Sequence, residues 1–238
     1  MTDNLGYTSV PSLLKYLRHA EQLGLDIDQA LTAAGLTAED LADNGKRIPS
    51  ETHERLLAHL LQVSDDPLFG LHCARFVQPG SWSVLGYITM NCATLGEAMS
   101  RIVPYEKLVG DMGVSRVEAA NDHVRLIWTC RHDEPTIRRH MVENVLASWL
   151  LYARWISDSD SSPREVWFEH ALPPGVEISE YEALFACPIR FEQSCNALVV
   201  PLEYLAVPLR QADANLLRTL EEHALTLMAG LDDNEPLP

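Results

Sequence analysis

A metal or acid–base centre in this chain would have to be built from nine histidines and five cysteines. A structural zinc site takes its ligands in short pairs, such as C-x2-C with H-x3-5-H, because few turns of chain must aim four donors at one ion. Cys130 and His132 stand two residues apart, but no second pair lies near them and no C-x-x-C occurs. His132, His140 and His170 draw most attention. His19, His53, His59, His72, His123 and His223 are scattered over helices and turns. For His170, a strand-end histidine bonding a neighbouring turn is the simple reading. No G-x-S-x-G elbow presents a serine, and no Walker or G-x-G-x-x-G loop cradles a phosphate. Glu221-Glu222 and Asp232-Asp233 read as solvated charges. The sequence therefore predicts no catalytic residue, no metal site and no cofactor.

Aromatic walls and a few charges are what remain, and they suit a small-molecule pocket. Tyr87, Tyr105, Trp128 and Trp149, with Arg139 and Glu143, are the candidate lining residues, placed between a long helix and a sheet. Trp82, Tyr152, Trp155 and Trp167 flank the same core. Each aromatic also has an ordinary reading as core packing. Arg139 and Glu143 stand at i,i+4, either as a surface pair of a few tenths of a kcal/mol or with one of them turned inward to orient a ligand, where a buried charge must be paired. With both signs available, an amino-acid-like or carboxylate metabolite is expected before a sugar, since the pocket segments are poor in Asn and Gln.

The elements that must position these residues follow from periodicity and punctuation. Residues 11–23 carry Leu13, Leu14, Leu17 and Ala20 at helical spacing up to Gly24. Short helices follow at 28–34, 38–42 and 51–63. A further one is expected over 67–77, capped by Asp66 with Pro67 at its first position. Residues 83–91 and 94–108 read as helices, the second opened by the capping box Thr94…Glu97. Runs 113–119 and 123–130, joined by an Asn121-Asp122 turn, read as a hairpin in which Val124, Leu126, Trp128 and Cys130 share the core face. A long helix over 135–156 shows Ile137, Met141, Val145, Trp149 and Ile156 on one stripe. Strands at 165–169, 189–191 and 197–200, a helix at 179–185 and a closing helix at 212–229 complete the chain. The order predicts an α+β fold: a mainly antiparallel sheet packed against a long helix, with an N-terminal helical cap subdomain. The expected division is a cap over 1–80, a sensor core over 81–230 and a linker over 231–238.

With 34 acidic against 18 basic residues, the formal net charge is −16. Such a surface repels a phosphate backbone, and no basic recognition helix is present. The odd number of cysteines and the lack of C-x-x-C point to buried thiols of a cytoplasmic protein, with Cys187 and Cys195, near polar turns, the first candidates for redox sensing. No secretory signal and no apolar run of membrane-spanning length is read.

Several local motifs are similar to one branch of AraC/XylS-type transcriptional regulators. They are Gly86-Tyr87, Thr-Leu-Gly-Glu-Ala at 94–98, Tyr105, the Val-x-Phe-x-His of Val166, Phe168 and His170, the Phe-x-Cys-Pro-Ile-x-Phe of 185–191, and the Asn-x-Leu of Asn196 and Leu198. From about Val10 to Leu227 the chain resembles the N-terminal effector-sensing, arabinose-binding-like domain of that family. The resemblance implies a small-molecule effector, a homodimer, and DNA contact only through a C-terminal helix-turn-helix domain that this chain lacks. The stripe Leu216, Leu220 and Leu227 is one candidate dimer surface. Two other classes stay open: a constitutive protein–protein module without a ligand, and an enzyme of unrecognised type.

Overall fold

A computed structural model describes residues 5–234. Strand β1 (Tyr7–Ser9) leads through a 3-10 turn into helix α1 (Leu14–Gln22). Helices α2 (Ile27–Ala34) and α3 (Ala38–Ala42), strand β2 (Arg47–Pro49) and helices α4 (Ser50–Val63) and α5 (Phe69–Cys73) follow. Helices α6 (Ser83–Met90) and α7 (Leu95–Tyr105) precede the hairpin β3 (Gly113–Ala119) and β4 (His123–Cys130). Then come α8 (Pro135–Ser157), β5 (Glu165–Trp167), α9 (Ile178–Phe185), β6 (Ile189–Arg190), β7 (Ala197–Pro201), α10 (Leu202–Leu205) and α11 (Ala214–Asn234). The fold is α+β, as expected.

The five-stranded sheet has the order β3-β4-β7-β5-β6, and every neighbouring pair is antiparallel except β5 with β6. The hairpin register pairs Gly113 with Cys130 and Ala119 with Val124. On β4 the residues Val124, Leu126, Trp128 and Cys130 are all buried in the main core. Ile127 is buried as well, on the opposite face beside Ala197 and Val199 of β7, so that face is not the solvated one that alternation suggests.

Helix α8 starts where Glu134 accepts hydrogen bonds from the Thr136 and Ile137 amides with Pro135 at its first position, and it stops at Asp158 in a left-handed conformation. The N-terminal helices pack directly on it. Gly70 of α5 donates its amide to His140 Nδ1 at 3.1 Å, and its carbonyl accepts from Asn144 Nδ2 at 3.0 Å. A Cβ on Gly70 would be driven into the His140 carbonyl, so this approach needs glycine.

Strands β1 and β2 form a separate antiparallel pair that the sequence does not announce, because three residues give no period. They stitch the first fifty residues to the core. Ser9 donates to the Val109 carbonyl, Asp111 donates to that of Tyr7, and the Arg47 guanidinium reaches the Lys107 carbonyl at 2.6 Å and Asp111 at 3.1 Å.

Helix α5 begins at Phe69, two residues later than Pro67 suggests. Asp66 does not act as a simple cap: its carboxylate accepts from the Leu68 amide and is drawn to His19 and His72. Helix α11 runs to Asn234, so residues 231–234 of the expected linker are helical and 235–238 lie outside the described residues.

Candidate functional site

Three periodic patterns converge on one cavity of about 150 Å³ between α8 and the sheet. From α8 come Met141, Val145, Trp149 and Ile156, the stripe visible in the sequence. From the sheet come Leu126 and Trp128 on β4 and Leu198 and Val200 on β7, alternate residues of one face. From α7 come Leu95, Ala98, Met99 and Ile102, at i, i+3, i+4 and i+7. Trp82, Leu85 and Thr89 close one side, with Trp82 edge-on to Tyr152 at 4.7 Å. Gly113 allows Trp128 its place, since a Cβ there would meet the indole.

Another part of the wall is polar and comes mostly from the N-terminal elements: Ser12, Lys15, Tyr16, His53, Glu106 and Ser115. Lys15 is 4% exposed. Its ammonium lies 5.6 Å from the centre of the Tyr16 ring, and among the described residues no hydrogen bond or ion pair holds it. Burial pushes its pKa down to about 8. His53 packs edge-on to the same Tyr16 ring at 5.1 Å. Its Nδ1 lies 2.7 Å from the acceptor Met112 Sδ, and its buried Nε2 has no partner among the described residues. Burial lowers the His53 pKa to about 3, so the ring is neutral. Glu106 accepts the Ser115 amide at 2.8 Å, and burial raises its pKa.

The arabinose-binding domain of AraC transcription regulators, an N-terminal domain, matches residues 24–209 of this chain. The chain belongs to that family. The Ornithine utilization regulator of Pseudomonas aeruginosa is 23% identical over 218 residues, which are 91% of this chain and 63% of that protein. The chain thus spans somewhat under two thirds of that relative's length. The crystal structure of the transcriptional regulator CdpR from Pseudomonas aeruginosa matches with a TM-score of 0.59 at 15% identity, covering 88% of this chain and 70% of that one. At that identity the likeness concerns the fold. These relatives are transcriptional regulators, and the chain is a ligand-sensing regulatory domain of the AraC type.

Within this AraC-type domain the six expected lining residues separate. Trp128 and Trp149 line the cavity. Tyr105 is buried just outside it, with Glu221 and Arg101 as its charged neighbours. Tyr87 is 46% exposed, its hydroxyl near Gly80. Arg139 and Glu143 lie on another face of α8, because Glu143 and Val145, two residues apart, point about 200° away from each other around a helix. The sequence puts both on the polar side of the helix and expects one of them to turn inward toward a ligand; neither lines this cavity.

Glu143 is nevertheless buried, at 0% exposure, and is held by protein groups. Arg139 Nη1 pairs with it at 3.1 Å, the Tyr181 hydroxyl donates at 2.6 Å, and His170 Nε2 lies at 3.5 Å. Burial outweighs these partners and raises its pKa to about 7. Arg139 also donates to the Pro67 carbonyl, which ties α8 to the turn before α5. His170 Nδ1 meets the Ala171 carbonyl at 2.9 Å, as a strand-end histidine should.

His19 and His72, scattered in sequence, meet at Asp66, and the three donor atoms lie within 4.8 Å of one another. Burial works against the Asp66 charge, but hydrogen bonds from both rings outweigh it and hold its carboxyl well below the usual range. These bonds account for the cluster as a brace between α1 and α5. Cys73, Cys92 and Cys130 are buried, and Cys187 and Cys195 are half-buried. Burial pushes Cys187 up to about 11 and raises Cys195, so neither thiol is activated.

Sequence reasoning missed Lys15, His53 and Glu106. Along the 3-10 turn and α1 the residues Ser12, Lys15 and His19 stand at i, i+3 and i+7, which reads as a solvent face. The helix is instead surrounded, and all three are buried. Nothing local marks such a face; only the packing of α2, α5 and, through His53, α4 around it does.

Proposed function

We propose that this domain binds a small organic effector in the cavity under α8 and passes its occupancy to a DNA-binding segment outside this chain. One observation carries the reading: α7 faces both ways. It presents Ala98, Met99 and Ile102 to the cavity, while Arg101 on its other side pairs with Glu221 of α11 at 2.7 Å. A ligand that shifts α7 therefore shifts α11, the last described element. Leu217 and Ala224 anchor α11 to its own domain, whereas Leu216 and Leu227 are exposed and Leu220 is half-buried. The exposed pair, with Leu225, supports a homodimer through α11, which sedimentation at tens of micromolar tests.

The acidic charge supports a division of labour in which this chain does not itself hold DNA. No helix of the described residues is long and apolar enough to cross a membrane, in keeping with a cytoplasmic regulator. The relative named for ornithine utilization makes amino acids and their breakdown products natural members of a ligand screen.

The test is a thermal-shift screen of metabolites on the wild-type chain and on Ala98→Met or Ala153→Leu, each of which fills part of the cavity. A ligand of the folded state raises its melting temperature by mass action. Compounds that stabilise the wild type should do so little or not at all in the filled variants. Equal shifts in all three proteins would place the effector elsewhere.

A further inference from the structure

We infer that the cavity takes a monocarboxylate with a compact apolar body, its carboxylate meeting Lys15. This rests on the cavity being the effector site and adds the chemical class of what fills it.

One observation points to an anion. Lys15 is buried in the cavity wall and, among the described residues, has neither hydrogen bond nor ion pair; the face of Tyr16 lies near its ammonium. A buried ammonium without a counter-charge is costly and is found almost only where something pairs with it. His53 is 1% exposed, lines the same cavity and, among the described residues, leaves its acceptor Nε2 without a partner. Both residues lie against one ring, that of Tyr16, so they share one polar end of the cavity. A carboxylate oxygen accepts from Lys15 Nζ and supplies the missing counter-charge; neutral His53, its Nδ1–H directed at the acceptor sulfur of Met112, keeps Nε2 as an acceptor and does not hold the anion.

The remaining walls set the body. They are aromatic and aliphatic: Trp82, Trp128, Trp149, Met99, Ile102 and Val145. An apolar cavity of roughly 150 Å³ in another protein accepts benzene, so at about 150 Å³ this one suits a single ring or a short branched chain beside its polar end. A second anionic group would face the Glu106 carboxylate, which also lines the cavity. An amino acid would bring its α-ammonium to the same buried end as that of Lys15, setting like charges together.

Calorimetry on the whole chain distinguishes these cases with matched pairs: benzoate against benzyl alcohol, and hexanoate against hexan-1-ol, with L-ornithine as a third class. The acids should bind at least ten-fold more tightly than their neutral partners. Lys15→Met should bring that ratio close to one, and Lys15→Arg should keep it above one. The wild-type comparison stands even if a variant fails to fold. Alcohols binding as well as acids, or an acid preference that survives in a folded Lys15→Met, overturns the inference and leaves the cavity as the site. L-Ornithine binding more tightly than every monocarboxylate does the same. If neither acids nor alcohols bind at millimolar concentration, the inference falls together with the cavity reading.

Discussion

Replacing Lys15 with methionine should make the unliganded domain more stable. Lys15 is 4% exposed, and burial takes its pKa from 10.5 to about 8. At pH 7 that fall corresponds to about 3 kcal/mol of strain held against the folded state. Methionine fills a similar volume without a charge. It forfeits the contact of the ammonium with the Tyr16 ring, worth roughly 0.5–1 kcal/mol. The net gain is about 2 kcal/mol, which in a domain of this size raises the melting temperature by roughly 4–8 °C. The sign follows from linkage. Above pH 8 the folded protein has lost the Lys15 proton while the unfolded chain keeps it up to about 10.5, so wild-type stability rises with pH across that window. The other titratable groups around Lys15 are Cys73, held protonated by burial, and His53, neutral throughout the window. The gap between variant and wild type should therefore shrink to about 1 kcal/mol by pH 10. Thermal melts of both proteins at pH 7 and pH 10, without ligand, measure it. A variant no more stable than wild type at pH 7, or a gap that does not narrow by pH 10, would show that Lys15 is already paired.

Acid should unfold the domain early. Burial lowers His53 and His140 to about 3 and His170 to about 4, so near pH 5.5 all three take up protons on unfolding, while Glu143, raised to about 7, releases one. The balance is about two protons bound on unfolding, or roughly 2.5 kcal/mol lost per pH unit near pH 5.5 and about half that or less near pH 6.5; urea melts between pH 5 and 6.5 with a flat stability would contradict it. Gly70→Ala drives a Cβ into the His140 carbonyl and should cost upwards of about 3 kcal/mol, against less than 1 for Gly175→Asn, where nothing stands within 4 Å and asparagine tolerates the positive φ. Denaturant midpoints compare the two, and an unaffected Gly70→Ala would mean α5 sits farther from α8.

Much of the fold is legible because its elements are long and periodic. The hairpin 113–119 and 123–130 and the long helix 135–157 fall where alternation and the α8 stripe put them. The failures have physical causes. Strands β1 and β2 are too short for a period, and α10 is a single turn after Pro201. Asp66 is claimed by His19 and His72, contacts from 47 residues before it and six after, so the helix it was expected to cap starts late. At the candidate site the apolar half was readable: Trp128 and Trp149 belong to periodic faces. The polar half was not. Lys15 and His53 sit on helices whose polar sides look solvated until β1 and β2 fold the N-terminal segment against the core.

The central claim, that a ligand occupies the cavity under α8, is tested most directly by fluorine NMR on protein labelled with 5-fluorotryptophan. Three of the five tryptophans, Trp82, Trp128 and Trp149, line the cavity, and Trp155 and Trp167 do not. Titrating benzoate should move the first three resonances, assigned by single Trp→Phe substitutions, and leave those of Trp155 and Trp167 in place. Saturable shifts confined to Trp155 or Trp167, with the three cavity resonances unmoved, would contradict the account.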